Sequence, residues 1–157
     1  MLKKIKFTLH EAAEGLELLN GDFCIFGSSA LILSGFPIRE TRDIDILTTS
    51  ENSDLLKKIW SDKLVITPKA KEISLFRSNL GLFKFAEMEI EVSGNLEIYK
   101  NNQWNKVTIN EFNTIFLNGL SVKVPTLKEQ IRILKFFGRE KDMKRLEFID
   151  GHSDNAD

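Results

Sequence analysis

Two places in the chain carry residue types that can do chemistry. Asp43 and Asp45 stand two apart in "RDIDILTT", alternating with Ile44 and Ile46. Gly27-Ser28 follows the apolar run "DFCIF" and precedes "SALIL". If "RDIDILTT" is a strand, the two carboxylates share one face and the isoleucines share the other. Two carboxylates about 4 Å apart repel by about 4 kcal/mol at an effective dielectric near 20. A divalent cation, a shared proton or a pair of arginines offsets such a cost. Arg39 and Arg42 are near enough in sequence to supply the arginines. Hard oxygen ligands with no histidine beside them suit Mg²⁺ or Mn²⁺ rather than zinc.

Gly27-Ser28 supplies the other half of a pattern. Glycine permits close backbone approach, and the N-terminus of a following helix presents free N–H groups, an arrangement that holds phosphate. A plain strand-to-helix turn favours the same small residues. A phosphate turn followed closely by a same-face acid pair is a compound signal, and its usual chemistry is Mg²⁺ held between carboxylates and a triphosphate.

The elements that must position these residues follow from periodicity. Leu9, Ala12, Ala13, Leu16 and Leu19 repeat at helical spacing up to Asn20-Gly21. "DFCIF" predicts a buried strand, "SSALILSG" a helix ending at Gly35, and "RDIDILTT" a strand. "SENSDLLKKIWSDK" predicts a helix capped by Ser50, with Glu51 and Asp54 favouring its dipole. "KLVIT", "EISLFR", "GLFKFAEMEIEV", "LEIYK" and "WNKVTI" predict strands, with hairpin turns at "KNNQ" and at the Asn-Gly of "FLNGLSVKV". Thr126 and Glu129 predict a capping box opening "LKEQIRILKFFG", which Gly138 ends, and "REKDMKRLEFI" predicts a last helix. The order is that of a mixed α/β domain. A single domain over residues 1–150 with a flexible tail at 151–157 is expected.

Composition narrows the function classes. The chain has 157 residues, is 42% hydrophobic and 29% charged, and has a formal net charge of −1. It can bury a core, and it has no surplus of Lys and Arg for an extended duplex-DNA surface. Its one cysteine, Cys24, reads as a small buried hydrophobe. No run is long and apolar enough for a membrane helix, and the N-terminus does not read as a signal peptide, so no membrane association and a cytoplasmic location are expected. His10 and His152 are isolated, and Phe136, Phe137 and Phe148 read as core.

The string "FGSSALILSGFPIRETRDIDIL" resembles the DNA polymerase β-type nucleotidyltransferase superfamily. In particular it resembles the small bacterial branch that includes aminoglycoside and lincosamide nucleotidyltransferases and the toxin half of abortive-infection type IV toxin–antitoxin pairs. The segment "KFFGREKDMKRLEFI" also resembles a helical Lys…Arg-x-Lys-Asp segment of some of these relatives. The resemblance implies a nucleotidyltransferase-like mixed sheet flanked by helices, with further helices at the C-terminus. It gives Gly27 and Ser28 to the phosphates of an NTP, with ATP the expected one. It gives Asp43 and Asp45 to the metal, Mg²⁺ or Mn²⁺. A third carboxylate is implied on a later strand. Glu87, Glu89 and Glu91 alternate with Met88, Ile90 and Val92, and Glu91, then Glu89, is the expected metal ligand, with Glu91 also the catalytic base. The family more often has Asp there, so the Glu stem places the carboxylate about one methylene further out. Arg39, Lys135 and Lys141 are implied nucleotide contacts, while a loop salt bridge for Arg39 and solvated helical lysines remain open readings.

The resemblance thus implies transfer of an NMP from an NTP to a hydroxyl of an unidentified acceptor: a small molecule, an RNA end or a protein side chain. The competing reading is a nucleotide-binding or partner-binding module of the same fold with weak or no turnover, such as a toxin–antitoxin component. A partner protein or a homo-oligomer is compatible with both.

Overall fold

A computed structural model of the chain describes residues 1–65 and 74–152. Two short helices open it, α1 (Leu2–Glu11) and α2 (Ala13–Glu17). The sequence predicted helix only from Leu9; Ile5 extends the same apolar stripe by one turn. Ile5, Leu9, Ala12, Leu16 and Leu19 are all buried, while Lys3, Lys4 and Lys6 face outward.

Next come β1 (Phe23–Phe26), α3 (Gly27–Leu33), β2 (Asp43–Thr48) and α4 (Ser50–Ile59). Gly35, at φ 100°, stops the helical path of α3 where the sequence placed the stop. The cap of α4 is Thr49 and not Ser50: the Thr49 hydroxyl accepts from Asn52 N–H at 3.1 Å. Either residue type can cap, and the pairing of Thr48 with Phe23 and Gly94 carries the sheet to Thr48, leaving Thr49 at the junction.

The strands β3 (Phe76–Lys84), β4 (Glu89–Lys100) and β5 (Gln103–Lys106) complete the main sheet. Its order is β1-β2-β4-β3, with β5 also paired to β4. The pairs are antiparallel except β2 and β4, which run parallel with α4 in the crossover between them. Strand β4 merges two predicted segments, "EMEIEV" and "LEIYK", across Ser93-Gly94-Asn95. A Cβ on Gly94 would sit 2.9 Å from Ser50 Cα and from Thr49 O, so α4 can pack this close only over a glycine.

"GLFKFAEMEIEV" is not one strand: residues 85–88 turn between β3 and β4, and Glu87 lies exposed in that turn, off the face it was expected to share with Glu89 and Glu91. Alternation of residue types continues through the turn and cannot mark it. Of "KLVIT", Leu64 makes a single bridge to Phe83. Residues 66–67 of that segment and 72–73 of "EISLFR" lie outside the described residues.

A second, two-stranded sheet is formed by β6 (Phe112–Leu117) and β7 (Leu120–Pro125). Both predicted hairpin turns form, with positive φ at Asn101-Asn102 and at Asn118-Gly119. Helices α5 (Leu127–Phe137) and α6 (Glu140–His152) close the chain. The predicted box at the start of α5 forms by half. Thr126 Oγ1 accepts from Glu129 N–H at 3.3 Å, but the Glu129 carboxylate turns instead to Asn110 N–H and to Arg132. Of the expected tail, Gly151 and His152 belong to α6 and 153–157 lie outside the described residues.

The largest core cluster joins α1 and α2 to the inner residues of the sheet, among them Ile25, Ile44, Ile46, Ile90 and Val92. Cys24 is buried as expected, and burial pushes its thiol up to about 12. No helix among the described residues is long and apolar enough to cross a membrane.

Candidate active site

The parallel pairing of β2 with β4 builds the acidic centre. The register sets Asp43 beside Glu89 and Asp45 beside Glu91. The isoleucines at 44, 46 and 90 go into the core and the acids to the opposite face, as the period of two requires. Asp43, Asp45 and Glu91 each bring a carboxylate oxygen into one group whose atoms all lie within 4.8 Å of one another. All three are half-buried. Three hard oxygen donors this close, on two adjacent strands, match the donor chemistry of Mg²⁺ or Mn²⁺, and a divalent charge would offset their mutual repulsion. Glu89, one pleat further along, stands outside that group.

Gly27 opens α3 directly after β1, whose Phe26 pairs with Asp45. Its φ is 70°, a conformation that costs any residue with a Cβ, and a Cβ there would meet Asp45 Oδ2 at 2.9 Å. The glycine is therefore required twice, by the bend of the chain and by the nearness of the acid. Ser29 Oγ donates to Asp43 C=O at 2.9 Å and fixes the turn against the acidic strand. Ser28 Oγ accepts from Arg145 Nη2 at 3.1 Å.

Arg145 belongs to α6 and is half-buried, and desolvation pushes its guanidinium below the usual arginine range. At the start of α6, Arg139 holds Asp142 with two parallel bonds, Nε to Oδ2 at 2.6 Å and Nη2 to Oδ1 at 3.0 Å. Asp142 Oδ2 also accepts from Arg139 N–H at 3.1 Å, so the buried aspartate caps the helix it belongs to. The Arg139 guanidinium lies over the rings of Phe76 and Phe137.

Two cavities meet here and share Asp45, Arg139 and Lys141. The smaller, about 200 Å³, contains Gly27, Ser28 and Arg145. The larger, about 470 Å³, contains Asp43, Asp45 and Glu91 and extends to Arg77 and Ser93. Of the basic residues singled out from sequence, Lys141 lines both cavities. Arg39 is exposed in the loop before β2 and Lys135 is exposed on α5, and neither lines these cavities. Neither Arg39 nor Arg42 is ion-paired with the acids. Sequence reasoning gave Arg139 no role, although it is the arginine of the Lys…Arg-x-Lys-Asp segment quoted above, and it missed Arg145, which lies in the same basic stretch.

Comparisons with known proteins identify the family and the fold. The family model described as aminoglycoside-2″-adenylyltransferase matches residues 8–148. No curated protein sequence matches the chain. Among solved structures, the chain is similar to a Thermotoga maritima protein described as a nucleotidyltransferase, with 21% identity, a TM-score of 0.69 and 88% of each chain covered. It is also similar to the lincosamide antibiotic adenylyltransferase LnuA with lincomycin bound, at 13% identity and a TM-score of 0.57, covering 94% of this chain and 95% of that one. A third similar structure is ANT(2″)-Ia in complex with adenylyl-2″-tobramycin, at 12% identity and a TM-score of 0.55, covering 91% of this chain and 84% of that one. The shared architecture is the mixed α/β nucleotidyltransferase fold.

Proposed function

Since the chain belongs to the aminoglycoside-2″-adenylyltransferase family, we propose that it transfers a nucleoside monophosphate from an NTP to a hydroxyl of an acceptor. The observation that carries this reading is the convergence of Asp43, Asp45 and Glu91 within 4.8 Å at a cavity they share with Arg139 and Lys141.

In this reading one chain, a single domain over residues 1–150, does all the positioning. Asp43, Asp45 and Glu91 hold Mg²⁺ or Mn²⁺, with Glu89 behind them. The ion, when bound, neutralises triphosphate charge and polarises the phosphoryl oxygens. Gly27 and Ser28 bring backbone against the phosphates, which the bend at Gly27 leaves room to approach. Lys141, Arg139 and Arg145 offset the remaining negative charge. Arg145 also holds the Ser28 hydroxyl in place. The Glu91 carboxylate accepts the proton of the acceptor hydroxyl. The acceptor oxygen then bonds to the α-phosphorus, the bond to the bridging oxygen breaks, and pyrophosphate leaves. Positioning and charge neutralisation do most of the work.

The larger cavity beside the acids is the proposed entrance for the acceptor. The family description and the LnuA structure make aminoglycosides and lincosamides the first acceptors to try. The test is pyrophosphate release from each NTP with Mg²⁺ and a panel of acceptors. Asp43→Asn combined with Asp45→Asn abolishes release while leaving the circular dichroism spectrum unchanged. Normal turnover by the double variant would sink the metal-site assignment. Nucleotide binding without turnover on any acceptor would favour a binding module of this fold instead.

A further inference from the structure

Beyond the acids, the larger cavity has a mostly apolar wall, formed by Phe76 and Leu80 of β3, Leu96 of β4 and Phe137 of α5. Ser93 stands among them, two residues past Glu91 on β4 and so on the same face of that strand. It is only 8% exposed, and its hydroxyl has no hydrogen-bond partner among the described residues. Every fully enclosed side-chain polar atom among those residues has a partner, so Ser93 Oγ is not sealed into the core. The open space it reaches is the cavity it lines. A hydroxyl enclosed this far gives up water at a cost, which a bound molecule that hydrogen-bonds it would offset.

The charges along the cavity indicate what such a molecule lacks. Its acids are Asp43, Asp45 and Glu91, all three in the group proposed to hold the metal. The other charged side chains that line it are basic: Arg77, Arg139 and Lys141. Arg77 and Arg139 already hold acids of their own, Glu97 and Asp142. Among the described residues, the cavity therefore offers no carboxylate away from the metal group to receive an ammonium.

We propose that the acceptor is a small hydroxyl compound with an apolar body and at most one positive charge, and that Ser93 Oγ hydrogen-bonds a second polar group of it, roughly 7 Å along the strand from Glu91. The inference rests on the transfer reading above and narrows its acceptor. A serine hydroxyl both donates and accepts, so it suits a hydroxyl or a carbonyl on the bound molecule. The cavity volume of about 470 Å³ lies within the range of roughly 300 to 1,000 Å³ for sites of single small ligands. A polycationic amino sugar would set several ammonium groups against apolar walls, Arg77 and Lys141, and such unpaired charge discriminates against it.

The experiment is calorimetric titration of the full chain with Mg²⁺ and the non-hydrolysable α,β-methylene analogue of ATP, followed by one of two probes. Lincomycin carries one amine and an apolar tail, and tobramycin carries several amines. Lincomycin is expected to bind at least about 10-fold more tightly than tobramycin. Ser93→Ala should weaken lincomycin binding about 5-fold without lowering Tm, since no partner within the fold is lost. A purely structural serine would lower Tm instead. Tobramycin binding as tightly as lincomycin, or neither binding while the ATP analogue does, would overturn the acceptor class and leave the nucleotide site standing. Unchanged lincomycin affinity in Ser93→Ala would overturn the role of Ser93. Failure of the ATP analogue itself to bind would overturn the transfer reading, and this inference with it.

Discussion

Gly27 carries two constraints at one Cα: a φ of 70° and a carboxylate oxygen 2.9 Å from where a Cβ would be. Gly27→Ala is therefore expected to destabilise the fold by about 1 kcal/mol or more. It should also displace the Asp45 carboxylate, so that Mg²⁺-dependent nucleotide affinity falls by more than the stability loss explains. Urea denaturation read beside calorimetric titration separates the two effects, and an unchanged affinity would remove Asp45 from the site. Glu91→Gln keeps the volume and removes the proposed proton acceptor, so pyrophosphate release should fall by about 10²-fold, with Glu91→Asp retaining more activity than Glu91→Gln. At this scale much was legible in the sequence. The acid pair and the Gly-Ser turn are local patterns, and their chemistry does not depend on what packs around them. Glu91 was also legible, because it shares a strand face with Glu89. Sequence ranked Glu91 ahead of Glu89, and the register that sets Glu91 against Asp45 is what brings its carboxylate into the group. Glu87 was misread because a turn can carry the same alternation as a strand.

Helix α6 is the element that sequence reasoning valued least correctly. Its Arg145 reaches Ser28 across 117 positions, and nothing in the local sequence announces such a contact. Arg145→Lys keeps the charge but loses the planar fork, and should weaken NTP binding several-fold with little change in stability. A lysine that binds as well as arginine would reduce the contact to simple charge. Helix α5 carries a pH-dependent anchor. Arg132, aided by backbone N–H groups, holds the Glu129 carboxyl down to about 2 from an ordinary value of 4.5. A depressed carboxyl pKa contributes stability above the unfolded value and loses it as protons return. The wild type should therefore lose stability relative to Glu129→Gln as pH falls from about 4.5 toward 2, and the difference should be constant at neutral pH. Chemical denaturation across that range is the measurement. A difference that does not change with pH would refute the anchor.

Across the whole molecule, the fold class was readable because helix and strand periods alternate plainly, and the hairpin turns announce themselves through Asn and Gly. What the sequence did not contain was the meeting of distant pieces: β1 with β2, β2 with β4, and α6 with the first turn of α3. The site exists only where these meet, so its ligands should stabilise the entire fold. Mg²⁺ with a bound NTP should raise Tm, as any ligand of the native state does, by an amount that grows with ligand concentration. With EDTA and no nucleotide, Asp43→Asn should instead raise Tm above the wild type, because it removes one of three crowded negative charges. If it lowers Tm under those conditions, the protein's own contacts stabilise the three acids and the group needs no cation.

The third acid comes from a separate strand, by parallel crossover, and this has a consequence for descent. Asp43, Asp45 and the Gly-Ser turn lie together on one short stretch of gene, whereas Glu91 lies far downstream. On the proposed roles, a one-base change in the codon for residue 91, to Gln or Lys, would cut transfer sharply and leave the phosphate turn and the acid pair intact. A transferase and a nucleotide-holding module of this fold are then neighbouring genotypes, one point mutation apart, and a lineage can pass between them without rebuilding its core.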